Sequence, residues 1–208
     1  MKKNYVSNSE ESVRMFKSNF MEAFSRVHFS VPLILYVPVV LFFAIAAFVS
    51  AGVSIAGFAG FYALGVLVWS VVEYFLHRFV FHFVPESKWG QRIHFVFHGV
   101  HHDYPNDTKR LVMPPAVSIP LAFLFYFLFS LILSKAYLWS FFPGFVSGYL
   151  FYDITHYALH HHNFKSAFWK KLKKHHMLHH YSDSSKGYGV SSPLWDKVLR
   201  SDFIKKQA

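Results

Sequence analysis

VPLILYVPVVLFFAIAAFVSAGVSIAGFAGFYALGVLVWSVV, residues 31–72, runs for 42 residues without one Asp, Glu, Lys, Arg or His. A helix crosses the hydrocarbon of a bilayer with about 20 residues. This block therefore reads as two spans, with the small residues Ser50, Ala51 and Gly52 as the turn between them. Further along, a second apolar block covers residues 111–134, is broken by Lys135, and resumes over residues 136–152. It reads as two more spans, four in all. Long strands do not fit, because an open sheet cannot satisfy its backbone in lipid. The expected fold is all-α.

The rest of the composition agrees. Of 208 residues, 53% are hydrophobic and 21% aromatic, and only 15% are charged, against about 25% in soluble domains. That excludes a disordered chain and argues against a soluble one. Residues 1–30 are polar, with no apolar stretch and small-residue cleavage site after the first lysines, so no cleavable signal peptide is expected. Within them, residues 15–29 alternate apolar and charged positions at roughly helical spacing, which suits a helix on the membrane surface or an ordinary soluble one. The chain divides into this polar or interfacial segment, 1–30, and a membrane domain, 31–208.

Two hairpins of spans leave residues 1–30, 73–110 and 153–208 on one side. Of 21 Lys and Arg residues, 20 lie there and only Lys135 lies on the other, so the positive-inside bias puts that side and both termini in the cytoplasm. All 15 histidines fall on the same side, outside the spans. The net charge of +10 would suit nucleic acid or an anionic membrane; the apolar runs select the membrane, and no nucleic-acid partner is expected. Cysteine is absent, which removes disulfides, thiol nucleophiles, iron–sulfur clusters and thiolate-bound haem.

The histidines form four groups: His77 and His82; His94, His98, His101 and His102; His156 and His160; His175, His176, His179 and His180. Residues at i, i+3 and i+4 share a helix face. His98, His101 and His102 have that spacing, as do His176, His179 and His180, and His156 with His160 is an i, i+4 pair. His77 and His82, five apart, lie roughly 140° apart on a regular helix. They meet only if they serve different metals or if the helix ends between them. A lone histidine is usually an ordinary surface or core residue, but ten or more in helix-spaced groups on one membrane face point to metal. His28, His161, His162 and His175 fit the spacing less well and read as bystanders. His94 reads as a supporting neighbour.

Imidazole suits Zn, Cu, Fe and Ni. A hydrolytic zinc takes about three protein ligands, and no H-E-x-x-H is present, so a metalloprotease is disfavoured. Ten imidazoles are enough for two metals in a cytoplasmic, histidine-rich helical cap. Two irons facing a lipid-accessible cavity would suit O₂ activation against an unactivated C–H bond. Ligating histidines usually pass their second N–H to a carboxylate or carbonyl. Asp153, Glu73 and Asp103 are the nearby carboxylates, with Asp153 foremost because it interrupts an apolar segment; ordinary interfacial solvation is the alternative for each.

EYFLHRFVFH, HFVFHGVHHDYPNDTKRLVMPP, GYLFYDITHYALHH, LKKHHMLHHY and GYGVSSPLWDKVL resemble the fatty acid hydroxylase / sterol desaturase superfamily of membrane di-iron enzymes. RLVMPP and YDITHYALHH narrow the likeness to its fatty acid 2-hydroxylases, over roughly residues 60–200. The resemblance implies two Fe ions, with Zn replacing them in some purified or crystallised proteins. It implies as ligands His77, His82, His98, His101, His102, His156, His160, His176, His179 and His180. It implies hydroxylation of a fatty acid, acyl-CoA or ceramide at C2, with O₂ and external electrons, in sphingolipid synthesis.

Eukaryotic members of the family this chain resembles often carry an N-terminal cytochrome b5 domain. Residues 1–30 are too short for one and no His-Pro motif occurs, so a separate donor of cytochrome b5 or ferredoxin type is expected. A stand-alone domain suits a bacterial inner membrane, whereas the tail KKQA has the form of an endoplasmic reticulum retrieval signal. Lys109 and Arg110 are candidates for the substrate head, or positive-inside anchors. Phe123, Phe125, Phe127 and Phe151 are candidates for lining the acyl tail, or packing aromatics. Two rivals remain: the same chemistry on a carotenoid ring, sterol or alkylglycerol, and a non-enzymatic histidine-rich metal-binding membrane protein, a transporter or store; a transporter would be expected to place polar residues at mid-membrane, and residues 31–72 hold no Asp, Glu, Lys, Arg or His.

Overall fold

The computed structural model describes residues 5–203. The tail KKQA lies outside the described residues. The described elements are helices only: α1 (Asn19–Ser25), α2 (Ser30–Val49), α3 (Ile55–Phe75), a π-helical turn π1 (Leu76–Phe81), α4 (Lys88–His94), a second π-helical turn π2 (Phe95–Gly99), α5 (Val100–Asp103), α6 (Pro115–Ser130), α7 (Lys135–His161), α8 (Ala167–Tyr181) and α9 (Leu194–Val198).

The uncharged block folds as a helical hairpin. Its turn falls at the expected small residues, where Gly52 has φ +61°, a conformation open mainly to glycine. Ser54 caps α3 by accepting from the Gly57 N–H at 3.1 Å. Two helical stretches, Ser30–Val49 and Ile55–Phe81, are long and apolar enough to cross a membrane. Ile34, Leu41, Phe42, Ile45, Leu64 and Leu67 on their outer faces are exposed, as lipid-facing residues would be.

The second apolar block differs from the expectation in its register. α6 begins at Pro115, not at residue 111, and has 16 residues. Pro115 occupies the first turn, where its missing N–H costs nothing. Ahead of it the chain is held away from the helix by the Asp153 carboxylate, which accepts the Met113 N–H at 3.2 Å. α7 has 27 residues, runs beyond the apolar stretch, and carries His156 and His160 on its last turns.

α7 is the axis of the molecule. Phe141, Phe142, Phe145, Val146, Tyr149 and Leu150 are buried along it, in one core with Tyr36 of α2 and Trp69 of α3. A Cβ on Gly65 would run into the Phe141 carbonyl, and one on Gly144 into the Tyr62 carbonyl, so α3 and α7 touch backbone to backbone. Small residues permit such approach between membrane helices.

Over the described residues 5–29 the N-terminal segment is a strap that is helical over Asn19–Ser25, rather than over residues 15–29. It is tied down by backbone bonds from Val6 to Asp103 (2.8 Å) and from Val27 to Lys109 (2.9 Å). Arg110 is its hub: the guanidinium donates to Glu22 Oε1 and the Val13 carbonyl at 2.7 Å each, and to Ser25 Oγ at 2.7 Å.

Candidate metal centre

The first π-helical turn, π1, solves the spacing problem posed by His77 and His82. A π-turn closes i→i+5 bonds; in π1 the His82 N–H donates to the His77 carbonyl at 3.2 Å. One extra residue in the turn returns the sixth position to the starting face, so both imidazoles point the same way. In π2 the Val100 N–H reaches back to the Phe95 carbonyl in the same manner.

All ten histidines of the expected set converge, in two groups of five. His77, His82, His98, His102 and His179 form one; His101, His156, His160, His176 and His180 form the other. Within each group the ligand atoms lie within 4.8 Å of one another. The i, i+3, i+4 faces are thus divided between two centres. Adjacent residues His101 and His102 point to different groups, as do His179 and His180, because residues one apart diverge by about 100° on a helix.

The donor atoms fit metal. In the first group, Nε2 of His82 lies 3.3 Å from that of His77, 3.1 Å from that of His98 and 3.0 Å from that of His179. His77 Nδ1 is bonded to the Tyr188 carbonyl and His179 Nδ1 to the Lys186 carbonyl. A carbonyl can only accept, so in the neutral rings both Nε2 atoms carry bare lone pairs. Lone pairs converging at this range repel unless a cation lies among them. In the second group, neither ring nitrogen of His101 or His180 has a hydrogen-bond partner, although both residues are buried. Each such orphan costs about 1–3 kcal/mol, a cost that ligation removes. Burial first, then repulsion by neighbouring imidazoles, hold His98, His101, His102 and His180 well below the ordinary histidine pKa. They are neutral, as ligands must be.

The carboxylates serve differently from the expectation. Asp153 accepts from the Met113 N–H and from the Tyr149 hydroxyl (3.0 Å) in place of a histidine. Glu73 accepts from the Val190 and Ser191 N–H groups at 2.9 and 2.8 Å and from Ser191 Oγ at 2.6 Å. Asp103 faces His94: burial lowers the basicity of His94 and the Asp103 charge opposes it. His94 belongs to neither group of five. Of the bystanders, His28 bonds Ser30 Oγ, His161 packs on Tyr157 and His162 on Phe164. His175 is bonded to Asp196 Oδ2 at 3.0 Å.

The expected substrate contacts fare unevenly. Arg110 is bonded to the strap and also lines a cavity beside His98, His101 and His156, and Lys109 is exposed. Phe151 is half exposed on the outer side of α7, in a groove with Leu33, Ile154, Phe164 and Trp169. Phe123 and Phe127 are exposed, whereas Phe125 lines an apolar cavity of about 30 Å³ with Trp69, Phe145 and Tyr149. A second cavity, about 90 Å³, ends on His98, His101 and His156 and is walled by Val96, Leu111, Val112 and Tyr152. Met113 lines both cavities. Phe81, Phe97 and Val117 line both the second cavity and an apolar groove of about 530 Å³ among π1, α4 and α6. Met15, from the strap, closes another side.

Sequence reasoning missed Met15, Tyr152 and Asp196. The last was signalled only by its stretch: Gly187 has φ +71°, and a Cβ on Gly189 would strike Asp196 Oδ2, so two glycines flank a buried carboxylate.

The profile of the fatty acid hydroxylase family matches residues 62–201. Dihydroceramide fatty acyl 2-hydroxylase FAH2 of Arabidopsis thaliana is 40% identical over 190 residues, which are 91% of this chain and 79% of the plant protein. Fatty acid 2-hydroxylase of Rattus norvegicus is 39% identical over 88% of this chain and 55% of its own. A solved structure of full-length scs7p, with only its hydroxylase domain visible, superposes with a TM-score of 0.85 at 36% identity, covering 91% of this chain and 72% of that one.

Proposed function

Since the chain belongs to the fatty acid hydroxylase family, we propose that it hydroxylates a fatty acyl chain, free or in a ceramide, at C2 with O₂. The observation that carries this reading is a pair of five-histidine groups, mostly buried, beside a cavity that shares Phe81, Phe97 and Val117 with an apolar surface groove. The named relatives act on fatty acids or dihydroceramide acyl chains, which favours an acyl substrate over a sterol or carotenoid ring.

In this reading the first group, His77, His82, His98, His102 and His179, holds one iron, and the second, His101, His156, His160, His176 and His180, holds the other. The irons, when bound, supply O₂ activation and attack on an unactivated C–H bond. The protein's part is to bind, orient and exclude water. The apolar walls of Val96, Leu111, Val112 and Tyr152 receive the acyl segment next to the carbonyl and keep bulk water from it. The carbonyls of Tyr188 and Lys186 hold the Nδ1 protons of His77 and His179, so that both rings turn Nε2 inward. Glu73 and Asp153 fix the backbone around the groups; Asp103 and His94 border the first. Electrons come from a donor of cytochrome b5 or ferredoxin type.

The topology belongs to the same reading. α2, α3 with π1, α6 and the apolar part of α7 make four crossings of a membrane domain over 31–208. The polar segment 1–30, the metal centre and both termini lie on the cytoplasmic side, supported by 20 of 21 basic residues. The test is lipid mass spectrometry of a host with and without the protein. The expected result is 2-hydroxy acyl lipid only with it. Hydroxyl at another carbon, or on a sterol, would overturn the assignment.

A further inference from the structure

Residues 186–191 form a loop that gives two carbonyls to one metal group and none to the other. Lys186 O accepts from His179 Nδ1 at 2.6 Å, and Tyr188 O accepts from His77 Nδ1. Both histidines belong to the first group. The carbonyls point correctly only while the loop holds its shape, and that shape is set by a buried carboxylate in α9.

Asp196 is fully buried. Its Oδ1 accepts from the Tyr188 N–H at 2.9 Å and from Ser201 Oγ at 2.8 Å, and its Oδ2 from the Gly189 N–H at 2.8 Å. His175 Nε2 completes the set at 3.0 Å. The Gly187 N–H bonds the Ser201 carbonyl at 2.9 Å, which fastens the other side of the loop. Gly189 admits the carboxylate because no Cβ stands in its way, and Gly187 supplies the reversal at φ +71°. Glu73 holds the far end through Val190 and Ser191. Two carboxylates on different helices therefore clamp one short loop, which orients two imidazoles of one group.

Resting on the two-metal reading above, we propose that Asp196 is a positioning residue for the metal site of His77, His82, His98, His102 and His179 alone, acting through the carbonyls of Lys186 and Tyr188. Groups that orient metal-bound histidines typically contribute about 10- to 100-fold in metal affinity. The two sites of this protein then differ in their support, and the difference can be read without measuring turnover.

The full chain, purified anaerobically and loaded with iron, is challenged with a chelator, and the release of each metal is followed. In Asp196→Asn one metal per chain is expected to leave about 10- to 100-fold faster than in the unaltered protein, while the other leaves at the unaltered rate. Ser201→Ala removes one of the four bonds to Asp196 and is expected to give the same selective effect more weakly; it decides the matter if Asp196→Asn fails to fold. Equal acceleration of both metals, or of neither, would overturn the inference. An unaltered protein holding fewer than two metals would instead overturn the two-metal reading, so the two failures are distinct.

Discussion

At the scale of single residues, the division between ligand and bystander histidines carries the sharpest consequences. His179 is buried in the first group, whereas His162 is exposed and touches Phe164. His179→Ala is expected to abolish 2-hydroxy product per folded protein. His162→Ala should retain most activity and change stability within about 0.5 kcal/mol. Arg110 gives a different kind of prediction. It joins Val13, Glu22 and Ser25 of the strap to the loop before α6, and breaking such a buried pair costs about 3–5 kcal/mol. Arg110→Ala should therefore expose the strap to protease, which a substrate contact would not do. Its partner Glu22 adds a pH dependence. Burial raises the Glu22 pKa, but the Met15 and Phe16 N–H groups and the Arg110 and Arg26 charges outweigh it, leaving the carboxyl below its ordinary 4.5. A depressed carboxylate stabilises above its unfolded pKa, and the contribution is lost as pH falls through the folded one. Protease cleavage of the strap should stay slow at neutral pH and rise as the pH drops below about 4.5.

At the scale of elements, the contact of α3 with α7 sets the separation of the helices that bear His77 and His156. Gly144→Ala drives a Cβ into the Tyr62 carbonyl, and overpacking of this kind costs about 1–3 kcal/mol. A lowered unfolding midpoint in detergent checks it, with Gly60→Ala, which meets open space, as the comparison. This is also the scale at which the sequence was most and least informative. The hairpin of α2 and α3 was legible from an unbroken apolar run and three small residues. The helix-spaced histidine groups were legible from number and spacing, and the full set of ten only through the family resemblance. The π-turns were not, because a five-residue interval is ambiguous until the backbone bonds are known. Nor was the partition of neighbouring histidines between two groups, since a helix face is defined only relative to what packs against it. The roles of Arg110 and Asp153 depend on Glu22 and Met113, 88 and 40 residues away, and no local pattern reports such partners.

At the scale of the whole molecule, reporters fused after residue 30, near residue 90 and at the C-terminus should all read cytoplasmic; a residue-90 reporter on the other side would separate the histidine groups from one another. Elemental analysis of anaerobically purified protein should find about two metals per chain. The three histidines His176, His179 and His180 of α8 are shared out, two to one group and one to the other. A chain leaves the ribosome from its N-terminus, so when residue 170 emerges seven of the ten imidazoles already exist, yet both shells are incomplete. Neither ion can be sealed in before the last helices are made. A truncated or stalled chain then yields two open shells, one with four of its five imidazoles and the other with three, rather than one finished centre.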